Sequence, residues 1–114
     1  MNEEILEVME SYNEYLDKLP GGCKSIAEYL RNNRIDEALE LILHFSKGVS
    51  WLCEVNEKLS LLGFNNSLHI ERINEFLIEI NSGLEIQDYL IVADIFEYEI
   101  AEFFKNAIRY KQVV

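Results

Sequence analysis

Apolar residues along this chain recur in alternating steps of four and three, the spacing that lines one face of an α-helix. A first segment carries Ile5, Met9, Tyr12, Leu16 and Leu19. A long middle segment carries Ala38, Ile42, Phe45, Val49, Leu52 and Leu59, with Asn56 in the same series. A third carries Ile70, Ile73, Leu77, Ile80 and Leu84, and a fourth Tyr89, Ala93, Phe96, Ile100, Phe103, Ala107 and Tyr110. No stretch alternates with period two, so no sheet is expected. Four such segments predict helices packed at shallow angles.

Breaks and caps divide the pattern. Residues before a proline avoid the helical region, so Pro20, followed by Gly21-Gly22, predicts a first helix ending near Leu19. Ser25-Ile26-Ala27-Glu28 reads as a capping box and predicts a short helix over Ser25 to Asn32, with Asn33 as a left-handed stop. Asp36 can cap a long helix over 36–62. Gly63 followed by Phe64 suits a Schellman ending with Phe64 on Leu59, Gly83 marks another break, and Asp88 can cap the last helix. That helix carries Asp94, Glu97, Glu99 and Glu102 early and Lys105, Arg109 and Lys111 late, the order the helix dipole favours. The connections at 63–67 and 84–88 are short, which predicts antiparallel neighbours. The long helix would span about 40 Å and the first about 25 Å. The short helix could cover the excess. The expected fold is therefore all-α: one domain over 1–114, an antiparallel up-and-down bundle of four main helices plus one short helix.

Charge narrows the partners. The 114 residues hold 21 acids against 10 bases, a net charge of −11. Affinity for nucleic acid rests largely on Lys and Arg contacts to phosphate, and here the bases are few and scattered, so neither nucleic acid nor an anionic membrane is an expected partner. No stretch approaches the ~18 continuous apolar residues of a membrane span. Met1-Asn2-Glu3-Glu4 is acidic and lacks the basic start of a signal peptide. Cys23 and Cys53 form no C-x-x-C pair. In a chain long enough to bury a core, they read as reduced thiols in a cytoplasmic protein.

Candidate chemistry is sparse. A di-iron bundle needs E-x-x-H motifs, but Leu41 and Asn66 stand three residues before the two histidines, His44 and His69. Glu40 and His44 could share a helix face without forming H-E-x-x-H. There is no G-x-S-x-G elbow. A pairing of Cys53 with either histidine stays open beside the reading of Cys53 as a small core residue. Gly21-Gly22-Cys23-Lys24-Ser25 lacks the phosphate-loop frame, leaving at most an anion site at the short helix's start. The stretch from Asn33 to Leu41 is like one tetratricopeptide helix pair, but such repeats need several copies. The acids Asp94, Glu97, Glu99 and Glu102 span several faces of one helix, as a solvated surface does. Asn56 within a core series either fixes register or anchors a hydrogen-bond network. No catalytic, cofactor-binding or metal-ligating residue is assigned, and no cofactor is expected.

The long helix carries a surplus. Beside its core stripe runs a second row, Leu41, His44, Gly48, Trp51, Val55 and Leu62, and a helix apolar on two sides must bury both. Either the short helix packs there, or the row is the face of a homodimer or protein partner. In the second case Leu41, His44, Gly48, Trp51 and Val55 are the contact residues and Trp51 the anchor.

Asp88-Tyr89, the run Ala93-Asp94-Ile95-Phe96-Glu97-Tyr98-Glu99 and the upstream Gly48-Val49-Ser50-Trp51-Leu52 resemble a group of small uncharacterised acidic helical-bundle proteins of Gram-positive bacteria. The resemblance spans most of the chain. It implies the fold and brings no catalytic residue with it. The leading expectation is a non-enzymatic protein-interaction module, a small acidic adaptor or chaperone-like bundle. The alternative is a small-ligand or metal-binding bundle, with or without enzymatic activity, using Tyr12, Tyr89, Tyr98, Tyr110 and carboxylates.

Overall fold

The one proline does not end the first helix. In the structure, a computed structural model that describes residues 2–111, helix α1 runs unbroken from Glu3 to Arg31 with Pro20 inside it. The separate short helix expected over Ser25 to Asn32 is the last part of α1, and Ser25 and Glu28 are exposed residues within it. The reason is burial. Met9, Tyr12, Leu16 and Leu19 are followed at the same spacing by Cys23, Ile26 and Leu30, all buried. An interior proline costs a helix about 3 kcal/mol. Burying Ile26 and Leu30 returns roughly 1.5–3 kcal/mol each. The core face therefore carries the helix through the break, while Gly21 and Gly22 stay exposed.

Three helix ends share one solution. After α1, Asn33 is left-handed (φ 59°), its N–H donates to the Leu30 carbonyl and that of Arg34 to Tyr29. Helix α2 (Ile35–Leu61) ends at Gly63 (φ 92°), with Gly63 N–H on Ser60 and Phe64 N–H on Leu59, the Schellman pair expected there. Helix α3 (Ile70–Glu85) ends the same way on Gln87 (φ 55°), four residues beyond Gly83, where the break was expected. Gly83 instead lies buried inside α3. A Cβ there would come within 2.6 Å of Val92 Cγ2, so its role is close packing. Asp88 caps the next helix as expected, accepting from Ile91 N–H at 3.2 Å. The cap expected at Asp36 is not formed. Helix α2 starts at Ile35, and Asp36 lies in its first turn beside Glu37, where the helix dipole favours acids.

The last helical segment changes pitch. Helix α4 (Tyr89–Asp94) runs into a π-helical turn (Ile95–Ile100) and then α5 (Ala101–Lys105), with Ala101 N–H donating to the Phe96 carbonyl. The wide turn sets later side chains back by one position. Phe104, not Phe103, is the fully buried residue. Phe103 is half-buried and meets Phe76 of α3 edge-on at 5.4 Å. Helix ends at Lys105, so the expected helical Ala107 and Tyr110 lie in a non-helical tail. Tyr110 is nonetheless buried, because the Asn13 side chain bonds both its backbone N–H (2.8 Å) and its carbonyl (2.9 Å).

The described residues hold no strand. Helix α1 is the central element, packed on α2 and on the α4–π–α5 segment, while α3 packs on the outer side of that segment. Phe45 of α2 reaches across to Phe96 (5.2 Å) and Phe104 (6.2 Å), closing one continuous core. The molecule is a rod of 47 × 21 × 20 Å. Among the described residues no helix is long and apolar enough to cross a membrane.

Candidate functional site

Helix α1 sits where the separate short helix was expected, over the second apolar row of α2. Val55 is buried, Leu41 is half-buried, and Gly48 lies directly under the ring of Tyr15. His44 is exposed. Trp51 keeps 37% of its surface and meets Tyr15 edge-on at 6.1 Å. Leu62 is exposed at the far end of α2, away from this contact. Of the five residues predicted to meet a partner, Gly48 is covered by Tyr15 of α1 and Val55 is buried in the core, whereas His44, Trp51 and one side of Leu41 remain at the surface.

Gly48 is glycine because Tyr15 leaves no room for more. A Cβ there would overlap the Tyr15 hydroxyl and ring. Overpacking of this kind costs about 1–3 kcal/mol, against a gain of up to about 1 kcal/mol from replacing a helical glycine. Gly48→Ala is therefore expected to destabilise the protein, and the same change in a Tyr15→Leu background to stabilise it. Urea denaturation of the four proteins checks this reversal. An equal effect in both backgrounds would contradict the contact.

Where the two helices diverge they leave a groove of about 310 Å³. Tyr15, Leu19, Cys23 and Ile26 of α1 form one wall, and Leu41, Phe45 and Gly48 of α2 the other. Lys18, Gly22 and His44 lie at the exposed mouth. The Cys23 and Ile26 part of the α1 wall was missed from sequence because that helix was ended at Leu19. Burial pushes the Cys23 thiol up to about 12, and burial first, then the nearby Cys23, raises the Tyr15 hydroxyl. Both groups are neutral at ordinary pH, and a thiol held in this way is a poor nucleophile. Cys53 is half-buried and also raised, by burial and then by Glu57.

The other candidates take structural places. Asp94 and Glu97 both bond Arg31 at 2.8 Å, tying the end of α1 to the last helical segment, and Glu99 bonds Arg72 of α3 at 3.1 Å. Glu40, His44 and His69 are exposed. Among the described residues no cluster of three His, Cys, Asp or Glu side chains could hold a metal. Of the four tyrosines considered for a ligand site, Tyr98 is 67% exposed and Tyr89 half-buried.

Tyr12 and Tyr110 are buried and meet edge-on at 4.8 Å. Beside them lies Asn56, buried as its place in the core series implied. Its amide donates to the Tyr110 hydroxyl at 3.0 Å and to the Asn66 carbonyl at 3.2 Å. The side chain thus binds α2 to the 62–69 loop and to the tail. The Tyr12 hydroxyl, also buried, has no partner within hydrogen-bond geometry among the described residues, and burial raises its pKa well above that of a free tyrosine.

No curated protein and no solved structure matches the chain. One family model does, over residues 7–109, which takes in α1 from its second turn through the last helical segment and most of the tail. The chain belongs to the family defined by that model, the domain of unknown function DUF8042.

Proposed function

We propose that the protein is a non-enzymatic protein-interaction module, a small acidic adaptor or chaperone-like bundle acting as one domain in the cytoplasm. Its contact surface is the α1–α2 face around Trp51. The observation that carries this reading is the exposed part of Trp51, held against Tyr15 next to an apolar groove. Large aromatic side chains at such positions are the usual anchors of protein interfaces. A net charge of −11 argues against nucleic acid and anionic membranes as the partner. In this reading the helices run up and down, supported by the pairing of Asn13 with Tyr110 and of Arg31 with Asp94. The resemblance to small acidic bundles of Gram-positive bacteria is part of the same reading.

The occupant is a second copy or another protein. A two-fold pairing would bury the same face against itself, with Trp51 near the axis. Light scattering coupled to gel filtration is expected to give about twice the 13.4 kDa chain mass. Trp51→Glu should halve it while leaving the helical circular-dichroism signal unchanged, because Trp51 is half outside the core. A single-chain mass at high concentration would remove self-pairing and leave a different protein as the occupant. Loss of helix in Trp51→Glu would make Trp51 a core residue and end its role as anchor.

A further inference from the structure

The α1–α2 groove has the size and lining of a ligand site. Its volume of about 310 Å³ lies at the lower end of the range for small-molecule pockets, roughly 300–1,000 Å³. Its walls are mainly apolar, and not one of the chain's 21 acids lines it. The charged or ionisable side chains at its mouth are Lys18 and His44, both exposed. Among the described residues neither forms an ion pair, nor do Lys24, Lys47 and Lys105, whereas Arg31, Arg34, Lys58, Arg72 and Arg109 are each held by an acid. On a chain of net charge −11, an unpaired ammonium beside an apolar groove with no acid in its lining is the feature that favours an anion there. The interior beyond it is uncharged, because burial holds the Cys23 thiol protonated.

We infer that this groove binds a small amphiphilic carboxylate, a medium-chain aliphatic acid being its plainest member. The tail lies among Leu19, Ile26, Leu41 and Phe45, and the carboxylate sits at Lys18 and His44. At Gly22 the groove mouth stays open because that residue projects no side chain. Gly22 borders the groove and a Cβ on it would meet nothing within 4 Å, so a leucine at that position adds bulk at the mouth without displacing a neighbour. This inference does not rest on the protein-interaction reading, since a ligand that enters the groove leaves the outer face of Trp51 in place.

Trp51 is the one tryptophan of the chain, and its contact with Tyr15 couples it to the groove wall. It therefore reports occupancy by fluorescence, with calorimetry as an independent readout. Decanoate is expected to give a saturable signal. Decylammonium, with the same tail and the opposite charge, should bind at least tenfold more weakly, and acetate, with the head alone, should not bind. Lys18→Glu should weaken decanoate at least tenfold. Gly22→Leu, a change to a better helix former at an exposed position, should abolish binding while the circular-dichroism spectrum is kept. Three results would overturn the inference: no saturable binding by either readout, equal binding of the two decyl chains, or undiminished decanoate binding by Gly22→Leu. None of them bears on the light-scattering test of Trp51→Glu.

Discussion

Replacing Pro20 by alanine is expected to stabilise the protein by about 2 kcal/mol, a large effect for a single substitution. Pro20 lies inside α1, one residue past the core position Leu19. It has no N–H to give to the Leu16 carbonyl, and its ring crowds that carbonyl. An alanine there restores the bond and removes the crowding, which is worth up to ~3 kcal/mol in a helix interior. Part of that is lost because the half-buried ring also packs, and because proline restricts the unfolded chain. Urea denaturation of the single variant measures the result. If the chain turned at Pro20, as its sequence suggests when read locally, the same change would be neutral or destabilising.

Replacing Asn56 by leucine should act in the opposite direction, costing about 3 kcal/mol. Leucine is close in size and apolar, so the loss comes from the partners left behind. The Tyr110 hydroxyl and the Asn66 carbonyl both lose the Asn56 amide. An orphaned buried polar group costs roughly 1–3 kcal/mol, whereas removing both partners together can be nearly neutral. Asn56→Leu combined with Tyr110→Phe should therefore be clearly less damaging than the sum of the two single changes. Strict additivity would mean that Asn56 acts alone rather than as the centre of a network.

These two residues mark how far the sequence could be read. The all-α fold follows from apolar spacing, and the stops at Asn33 and Gly63 and the cap at Asp88 follow from local turn chemistry, which needs no tertiary information. Pro20 misled because its penalty is local while the opposing term is not. Cys23, Ile26 and Leu30 continue the spacing set by Met9 to Leu19, and that unbroken series was the signal that α1 goes on. Ending the helix early also hid the Cys23 and Ile26 part of the groove's α1 wall. Gly83 misled in the other direction, since its small size serves contact with Val92 and not a turn. The exchange of Phe103 for Phe104 could not be read from a fixed helical period, because the π turn changes that period within the helix. Asn56 stood out as polar in a core series, but its partners Asn66 and Tyr110 lie in segments whose path the pattern does not set.

The central claim is that the α1–α2 face around Trp51 meets another protein. The most direct measurement places a photoreactive amino acid at position 51, irradiates living cells of the native host, and repeats this at Glu85, an exposed residue at the end of α3. The account predicts a discrete crosslinked species from position 51 and none from position 85. A dimer-sized species would identify a second copy, and any other mass a different partner. No crosslink from position 51, or the same set of products from both positions, would contradict it.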